Sequence, residues 1–154
     1  MQTNRRGLLK LAGAGTIVAA GVAIPTALSR TSPDQPEVFR FRATLGLPEA
    51  PLPSYATFVV EGTVDLVKGT GLVASRMLAG HPDASSTIGL PGFGRIITVT
   101  EVEKHGTQLN IRGMIEDRSQ LEPGESHQVE IVIDQDRGVV RAPLGSKSVV
   151  LGLA

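Results

Sequence analysis

The sequence predicts an all-β domain over residues 37–154, either an antiparallel β-sandwich or a small barrel of about seven to nine strands. Apolar and polar residues alternate in short runs that recur about every ten residues, which is typical of such folds. Glycine and proline turn signals separate the runs, and no convincing helical period occurs after residue 29. Hydrophobic residues make up 41% of the 154-residue chain, too large a share for a disordered protein.

The chain begins with the three parts of an export signal. An uncharged apolar run extends from Leu11 to Leu28, and Ala27-Leu28-Ser29 places small residues at the −3 and −1 positions of a cleavage site. Pro25 is predicted to break the signal helix near its end. Cleavage is expected after residue 29, and residues 30–36 are predicted to form a polar linker. The positive charges that precede the apolar run are Arg5, Arg6 and Lys10.

The segment Asn4-Arg5-Arg6-Gly7-Leu8-Leu9-Lys10 resembles the motif of a twin-arginine (Tat) signal peptide, Ser/Thr-Arg-Arg-x-Phe-Leu-Lys. Asn4 and Leu8 depart from the hydroxyl residue and the phenylalanine of that motif. The resemblance covers residues 1–29 and implies export of an already folded domain, and no family is recognised for residues 30–154. The alternative is an uncleaved membrane anchor, and both interpretations place the domain outside the cytoplasm.

Three strands are predicted in the first half of the domain. Residues 39–45 alternate between apolar and polar side chains, the period of a half-buried strand. Residues 46–54 contain three prolines and are predicted to form a loop. Residues 56–66 form the second strand, with Gly62 expected at a bulge. Residues 72–79 fit either a helix or a strand, and a strand is favoured because a hairpin is the shortest connection.

The second half of the domain contains the clearest strands. Residues 95–104 are rich in β-branched residues, and His105-Gly106 is expected to form a tight turn after them. The next strand has alternating apolar residues, and Glu122-Pro123-Gly124-Glu125 then has the proline and glycine of a type II turn. Three further apolar runs are predicted as strands, at residues 128–134, 139–144 and 149–153.

Composition argues against several classes of function. The chain has no cysteine, which excludes disulfides, iron–sulfur clusters and cysteine catalysis. Its formal net charge is zero, which argues against a dedicated nucleic-acid binder. It has no tryptophan and one tyrosine, too few for an aromatic platform that stacks sugars or bases. No cofactor is predicted, and membrane contact is expected only through an uncleaved signal segment.

The densest polar cluster of the chain is His81-Pro82-Asp83-Ala84-Ser85-Ser86. Histidine and aspartate ligate metal ions, and His, Asp and Ser are also the members of a nucleophilic triad. His81 and Asp83 are therefore the candidate metal ligands. The alternative is a solvated loop in which Asp83 and the serines bond the local backbone.

The glycine-rich segment at residues 89–95 lacks the following helix that a phosphate-binding loop needs, so it is interpreted as a flexible connection. Phe93 lies between two glycines and is expected to be exposed. Phe93 and Arg95 are therefore candidates for contact with a ligand or partner, and the alternative is that Phe93 folds back onto the core.

Charged side chains alternate along the predicted strands. If oppositely charged residues face each other across neighbouring strands, they form ion pairs. If the arginines cluster instead, they form a basic face that binds a polyanion. The arginines are Arg40, Arg42, Arg112 and Arg141, and the acidic residues are Glu101, Glu103, Glu116 and Glu130.

These observations favour an exported, non-enzymatic module that acts through contact with an unknown protein or with copies of itself, as an adaptor, envelope component or self-assembling subunit. Exposed sheet edges suit such a module because they can accept an added strand. Two alternatives stay open. One is a carrier of small apolar ligands in a barrel interior lined by residues such as Phe58. The other is a hydrolytic or metal-dependent enzyme that uses the loop of His81 and Asp83.

Overall fold

The computed structural model describes residues 36–82 and 88–154, which form a closed barrel of eight antiparallel strands in chain order. The all-β prediction is confirmed, and of its two architectures the barrel is the one formed. The predicted signal helix and most of the predicted linker lie outside the described residues. The strands are β1 (Val38–Leu47), β2 (Ala56–Asp65), β3 (Thr70–Ala79), β4 (Arg95–His105), β5 (Gln108–Ile115), β6 (Gln128–Asp134), β7 (Val139–Leu144) and β8 (Lys147–Leu153).

The period-two pattern of the sequence sorts side chains between the barrel interior and the outer surface. In β5, for example, Leu109 and Ile111 are buried in the core while Arg112 is exposed. The run at residues 72–79 is a strand, as favoured, and it turns Val73 and Met77 inward. The interior is thus packed with aliphatic side chains and the two phenylalanines Phe41 and Phe58.

Gly62 does not form the predicted bulge. It pairs in regular register with Phe41 of β1 and Val73 of β3. A Cβ atom at position 62 would lie 2.8 Å from Cε1 of Phe41 and 2.8 Å from Cγ2 of Val73. A glycine is needed because these two side chains occupy the space. The register shifts instead in the β4–β5 ladder, between Val99 and Glu101.

The two ends of the barrel differ in the length of their connections. At the tight-turn end the strands are joined by residues 66–69, 106–107 and 135–138. At the long-loop end they are joined by residues 48–55, 80–94, 116–127 and 145–146. Binding residues are found disproportionately on loops held by a rigid scaffold, so the long-loop end is the place to look for a site.

The described chain begins and ends at the tight-turn end. The amide of Leu66 donates to the carbonyl of Glu37, just before β1. The amide of Leu153 donates to the carbonyl of Gly138, in the turn between β6 and β7. Residue 36 and Ala154 are therefore both opposite the long-loop end.

The hairpin of β7 and β8 is joined to the rest of the barrel by two short strand ladders, which we call the incomplete seams. β8 meets β1 through only two residue pairs, Ala43–Leu153 and Thr44–Gly152. β7 meets β6 through three pairs, whereas β1 and β2 are joined through ten. The barrel is closed, but its closure is weakest on either side of this hairpin.

Within the described ranges, no helix is long and apolar enough to cross a lipid bilayer.

Candidate functional site

A pocket of about 140 Å³ opens at the long-loop end of the barrel. Its walls come from strands β2, β3, β4 and β7 and from three of the four long-loop-end connections. We call it the mouth pocket, and it is lined by Phe58, Ser75, Met77, Phe93, Arg95, Glu122, Glu125, Pro143, Leu144 and Gly145.

Apolar side chains form part of the wall of the mouth pocket. Phe58 and Met77 reach it from the core and are almost fully buried. Phe93 stands in the loop before β4 and is 41% exposed, as expected for an aromatic residue between two glycines. Leu144 closes the opposite side from the end of β7. A ligand in this pocket would thus contact apolar surface from four separate segments.

A buried ion pair forms the polar part of the pocket. Nε of Arg95 donates to Oε1 of Glu125 over 3.2 Å, and Nη2 donates to Oε2 over 3.1 Å. Arg95 begins β4, and Glu125 ends the predicted type II turn, where its amide donates to the carbonyl of Glu122 over 2.9 Å. The side chains of the pair are only 9% and 8% exposed. This bidentate contact holds the loop before β4 and the loop before β6 at a fixed separation.

The remaining nitrogen of the Arg95 guanidinium, Nη1, binds the backbone of the loop that precedes β4. Nη1 donates to the carbonyl of Gly92 over 2.9 Å and to that of Gly94 over 3.0 Å. Oε2 of Glu125 accepts a second hydrogen bond, from the amide of Glu122 over 2.9 Å. The pair therefore fixes the backbone on both sides of the mouth pocket, and with it the position of Phe93.

The electrostatics of the pair keep Glu125 ionised. Burial raises the pKa of its carboxyl, but the hydrogen bonds from Arg95 and from the amide of Glu122, together with the charge of Arg95, lower it by more. The net result is a pKa below its ordinary value of 4.5. At neutral pH the pocket thus holds a carboxylate and a guanidinium in contact.

Beneath the ion pair the barrel is nearly filled. A void of about 10 Å³ lies there among core side chains such as Val60, Ile97 and Ile131. That is about the space of one water molecule. The apolar interior expected to hold the ligand of a carrier is therefore occupied by the protein's own side chains.

The structure places the predicted site residues in different regions. Phe93 and Arg95 both line the mouth pocket. His81 is exposed at the start of the β3–β4 loop and is not part of the lining, and Asp83 lies outside the described residues. The pairing of His81 with Asp83 therefore stays a prediction. Arg5, Arg6 and Lys10 also lie outside the described residues.

Elsewhere in the described chain, no group of three histidine or acidic side chains is arranged to hold a metal ion. Asp117 caps the short 3-10 helix Arg118–Gln120. It accepts hydrogen bonds from the hydroxyl and the amide of Ser119, and these contacts lower the pKa of Asp117. Asp134 similarly accepts from the amide of Arg137. Both acidic side chains thus stabilise local turns.

Sequence reasoning missed the role of Glu125. It identified the type II turn, but the partner of Glu125 is 30 positions away in the chain. No local pattern links a turn residue to an arginine at the start of a distant strand. Only the neighbouring positions of β4, β5 and β6 in the barrel bring the two loops together.

Cross-strand ion pairs on the outer surface are confirmed for two of the four predicted arginines, Arg112 and Arg42. Nη1 of Arg112 lies 2.8 Å from Glu101 of β4, and its Nε lies 3.8 Å from Glu130 of β6. Nη1 of Arg42 lies 3.5 Å from Glu61 of β2. These side chains are exposed or half-buried, so solvent screens the charges and each pair contributes little to stability.

Comparisons with known proteins found no similarity to this chain: no protein-family model matches it, nor does any curated protein or solved structure.

Proposed function

We propose that this protein is an exported β-barrel that binds a small molecule in the mouth pocket at its long-loop end. The observation that carries the proposal is the buried, two-pronged Arg95–Glu125 ion pair beside an apolar pocket. Small-molecule sites typically combine apolar walls with a few fixed polar groups, and the mouth of a β-barrel is one of their preferred places.

The cost of burying charge supports this proposal. A buried ion pair is often no more stable than apolar residues of the same volume, so stability is a poor reason for its presence. A fixed pair of charges in a pocket between the loops at this end of the barrel is better explained by ligand positioning. The proposal keeps the carrier alternative but moves the ligand from the barrel interior to its mouth.

We propose export by the Tat pathway on separate grounds. The support is the motif that contains Arg5, Arg6 and Lys10, followed by a mildly apolar run. A chain without cysteine needs no oxidising compartment to fold, which suits a pathway that carries folded proteins.

A second candidate is the contact module expected from the sequence. In a closed barrel every strand has a neighbour on both sides, which removes most of the free edges that strand addition requires. The observation that still favours this candidate is the pair of incomplete seams beside the β7–β8 hairpin. A partner strand would have to enter at one of them.

Two measurements test the leading proposal. Native mass spectrometry of the protein recovered from its producing cells should show the chain from residue 30 onward with a bound small molecule. Backbone NMR with a library of small fragments should then show shift changes at Phe93, Glu122 and Gly145. Shift changes confined to β7 and β8 on adding a protein partner, with no fragment bound at the mouth, would favour the contact module instead.

A matched pair of variants controls the fragment experiment. Phe93→Ala removes part of the pocket wall and should weaken fragment binding. Tyr55→Ala removes another exposed aromatic side chain at the same end of the barrel, one that does not line the pocket. Equal effects of the two substitutions would count against the mouth pocket as the site.

A further inference from the structure

We infer that the ligand of the mouth pocket is a small organic cation, an amine or quaternary ammonium compound with a compact apolar body. This inference rests on the proposed function and adds the chemical class of the ligand. It follows from the hydrogen-bonding capacity of the polar groups, the charge of the lining, the exposed aromatic ring and the size of the pocket.

The hydrogen-bond donors of Arg95 are largely committed to the protein. Arg95 carries the lining's positive charge, and its Nε, Nη1 and Nη2 atoms all donate to Glu125 or to the carbonyls of Gly92 and Gly94. These contacts use four of the five N–H groups of the guanidinium, so it offers an anionic ligand at most one donor unless a hydrogen bond is displaced. Such a ligand would also approach the carboxylate of Glu125, because the two side chains are in contact.

Acceptors, in contrast, outnumber donors. A carboxylate has about four lone-pair sites, and the hydrogen bonds described above use three sites on Glu125. The second carboxylate of the lining, Glu122, belongs to an exposed residue. The lining therefore offers acceptor capacity that suits a ligand rich in N–H donors or positive charge.

The backbone leaves room for the Glu122 carboxylate. Gly145, in the β7–β8 turn, has a φ of +60°, and a Cβ atom there would lie 2.8 Å from Oε2 of Glu122. The missing side chain lets this carboxylate lie against the turn at the pocket wall. With Arg95 and Glu125 neutralising each other, Glu122 gives the lining a net charge of one negative.

Phe93 supplies a second feature that suits a cation. Its side chain is partly exposed and lines the same pocket as Glu122. The face of an aromatic ring attracts ammonium groups, and combining aromatic rings with carboxylates is a common way to bind them. Met77 and Leu144 add apolar surface for the uncharged part of the ligand.

The volume sets the size of the ligand. The pocket holds about 140 Å³, close to the ~150 Å³ of an engineered cavity that binds benzene. It therefore fits a molecule of roughly six to nine non-hydrogen atoms, since benzene has six and the pocket is open to solvent.

Three probes of nearly the same shape test the charge preference: benzylamine as the cation, benzyl alcohol as the neutral molecule and benzoate as the anion. Dissociation constants are measured by NMR titration of the full chain at neutral pH. We expect benzylamine to bind at least about tenfold more tightly than benzyl alcohol, and benzoate to bind most weakly.

Two charge-removing variants give the matched control. Glu122→Gln should raise the dissociation constant of benzylamine about tenfold and leave that of benzyl alcohol unchanged. Glu49→Gln removes an exposed carboxylate from another loop at the same end, outside the pocket lining, and should change neither affinity.

The outcomes separate the inference from the function on which it rests. Equal or tighter binding of benzyl alcohol or benzoate at the mouth would overturn the cation inference and leave the small-molecule site standing. Equal effects of Glu122→Gln and Glu49→Gln would also overturn it. Binding of none of the three probes, nor of any fragment, would overturn both the inference and the proposed function.

Discussion

The ion pair between Arg95 and Glu125 connects the chemistry of single residues to the shape of the mouth pocket. Both side chains are buried near the start of a strand: Arg95 is the first residue of β4, and Glu125 lies in the loop shortly before β6. Arg95 and Phe93 could be selected from the sequence because a glycine-rich segment surrounds them. Glu125 could not, because burial of a turn carboxylate depends on a residue from another loop.

Replacing one member of the pair should be far more harmful than replacing both. In Arg95→Met the Glu125 carboxylate remains buried without its partner, and we expect the unfolding free energy to fall by about 3 kcal/mol. Arg95→Met/Glu125→Leu should recover most of that loss. Urea unfolding followed by circular dichroism measures both.

The exposed pair on the barrel surface provides the control for that comparison. Arg112→Met breaks the contact with Glu101, where both side chains are about half exposed, and should change the urea midpoint little because solvent screens the pair. A double variant as unstable as Arg95→Met would contradict this account, since it would mean that the charges themselves stabilise the fold.

Lowering the pH should reduce the free energy of unfolding, partly through protonation of Glu125. Its pKa is lower in the folded chain than its ordinary value of 4.5, so its contribution to stability is fully present above 4.5 and is lost as the pH falls through the lower, folded value. We expect the urea midpoint of the wild type to drop more steeply between about pH 5 and about pH 3 than that of Arg95→Met/Glu125→Leu. Parallel pH profiles would argue against this role of Glu125.

At the scale of the strands, alternation predicted which face of each strand is buried. It identified the inward residues of β1, β5 and β6, and the turn signals separated the strands correctly. The pattern did not predict which strands are neighbours, because every strand with one apolar face fits beside any other. Closure in particular depends on Ala43 and Leu153, whose pairing joins opposite ends of the domain.

The β-bulge predicted at Gly62 was wrong because the sequence pattern of a glycine within a strand has two interpretations. An isolated glycine in a strand indicates either a bulge or a close approach, and only the positions of Phe41 and Val73 distinguish the two. We expect Gly62→Ala to lower the unfolding free energy by about 1–3 kcal/mol through overpacking. Gly89→Ala, where an added Cβ atom would meet nothing within 4 Å, should change the urea midpoint little.

The β7–β8 hairpin should be the first element to open. β8 is joined to β1 through two pairs and β7 to β6 through three, whereas β2 has ten pairs with each of its neighbours. Amides of Lys147–Leu153 should therefore exchange with deuterium faster than those of Ala56–Asp65. Hydrogen exchange followed by mass spectrometry measures this difference, and equal protection of the two strands would show that the seams are as stable as the rest of the barrel.

At the scale of the whole molecule, export from the cytoplasm should depend on the arginine pair of the proposed Tat signal. Arg5→Lys/Arg6→Lys keeps the charge of the signal but removes the arginine pair that resembles the Tat motif. We expect this variant to accumulate as a folded barrel in the cytoplasm, as measured by cell fractionation. Arg40→Lys/Arg42→Lys makes the same change in the barrel and should be exported normally, whereas normal export of the first variant would contradict the Tat assignment.

The placement of both described chain ends at the tight-turn end has a practical consequence. Residue 36 and Ala154 are attached to the barrel through the strands and turns around Glu37 and Gly138, at the opposite end from Phe93. A handle added after Ala154 would leave the mouth pocket unobstructed. The barrel can thus be immobilised on a sensor surface through its C-terminus and still be presented with soluble compounds.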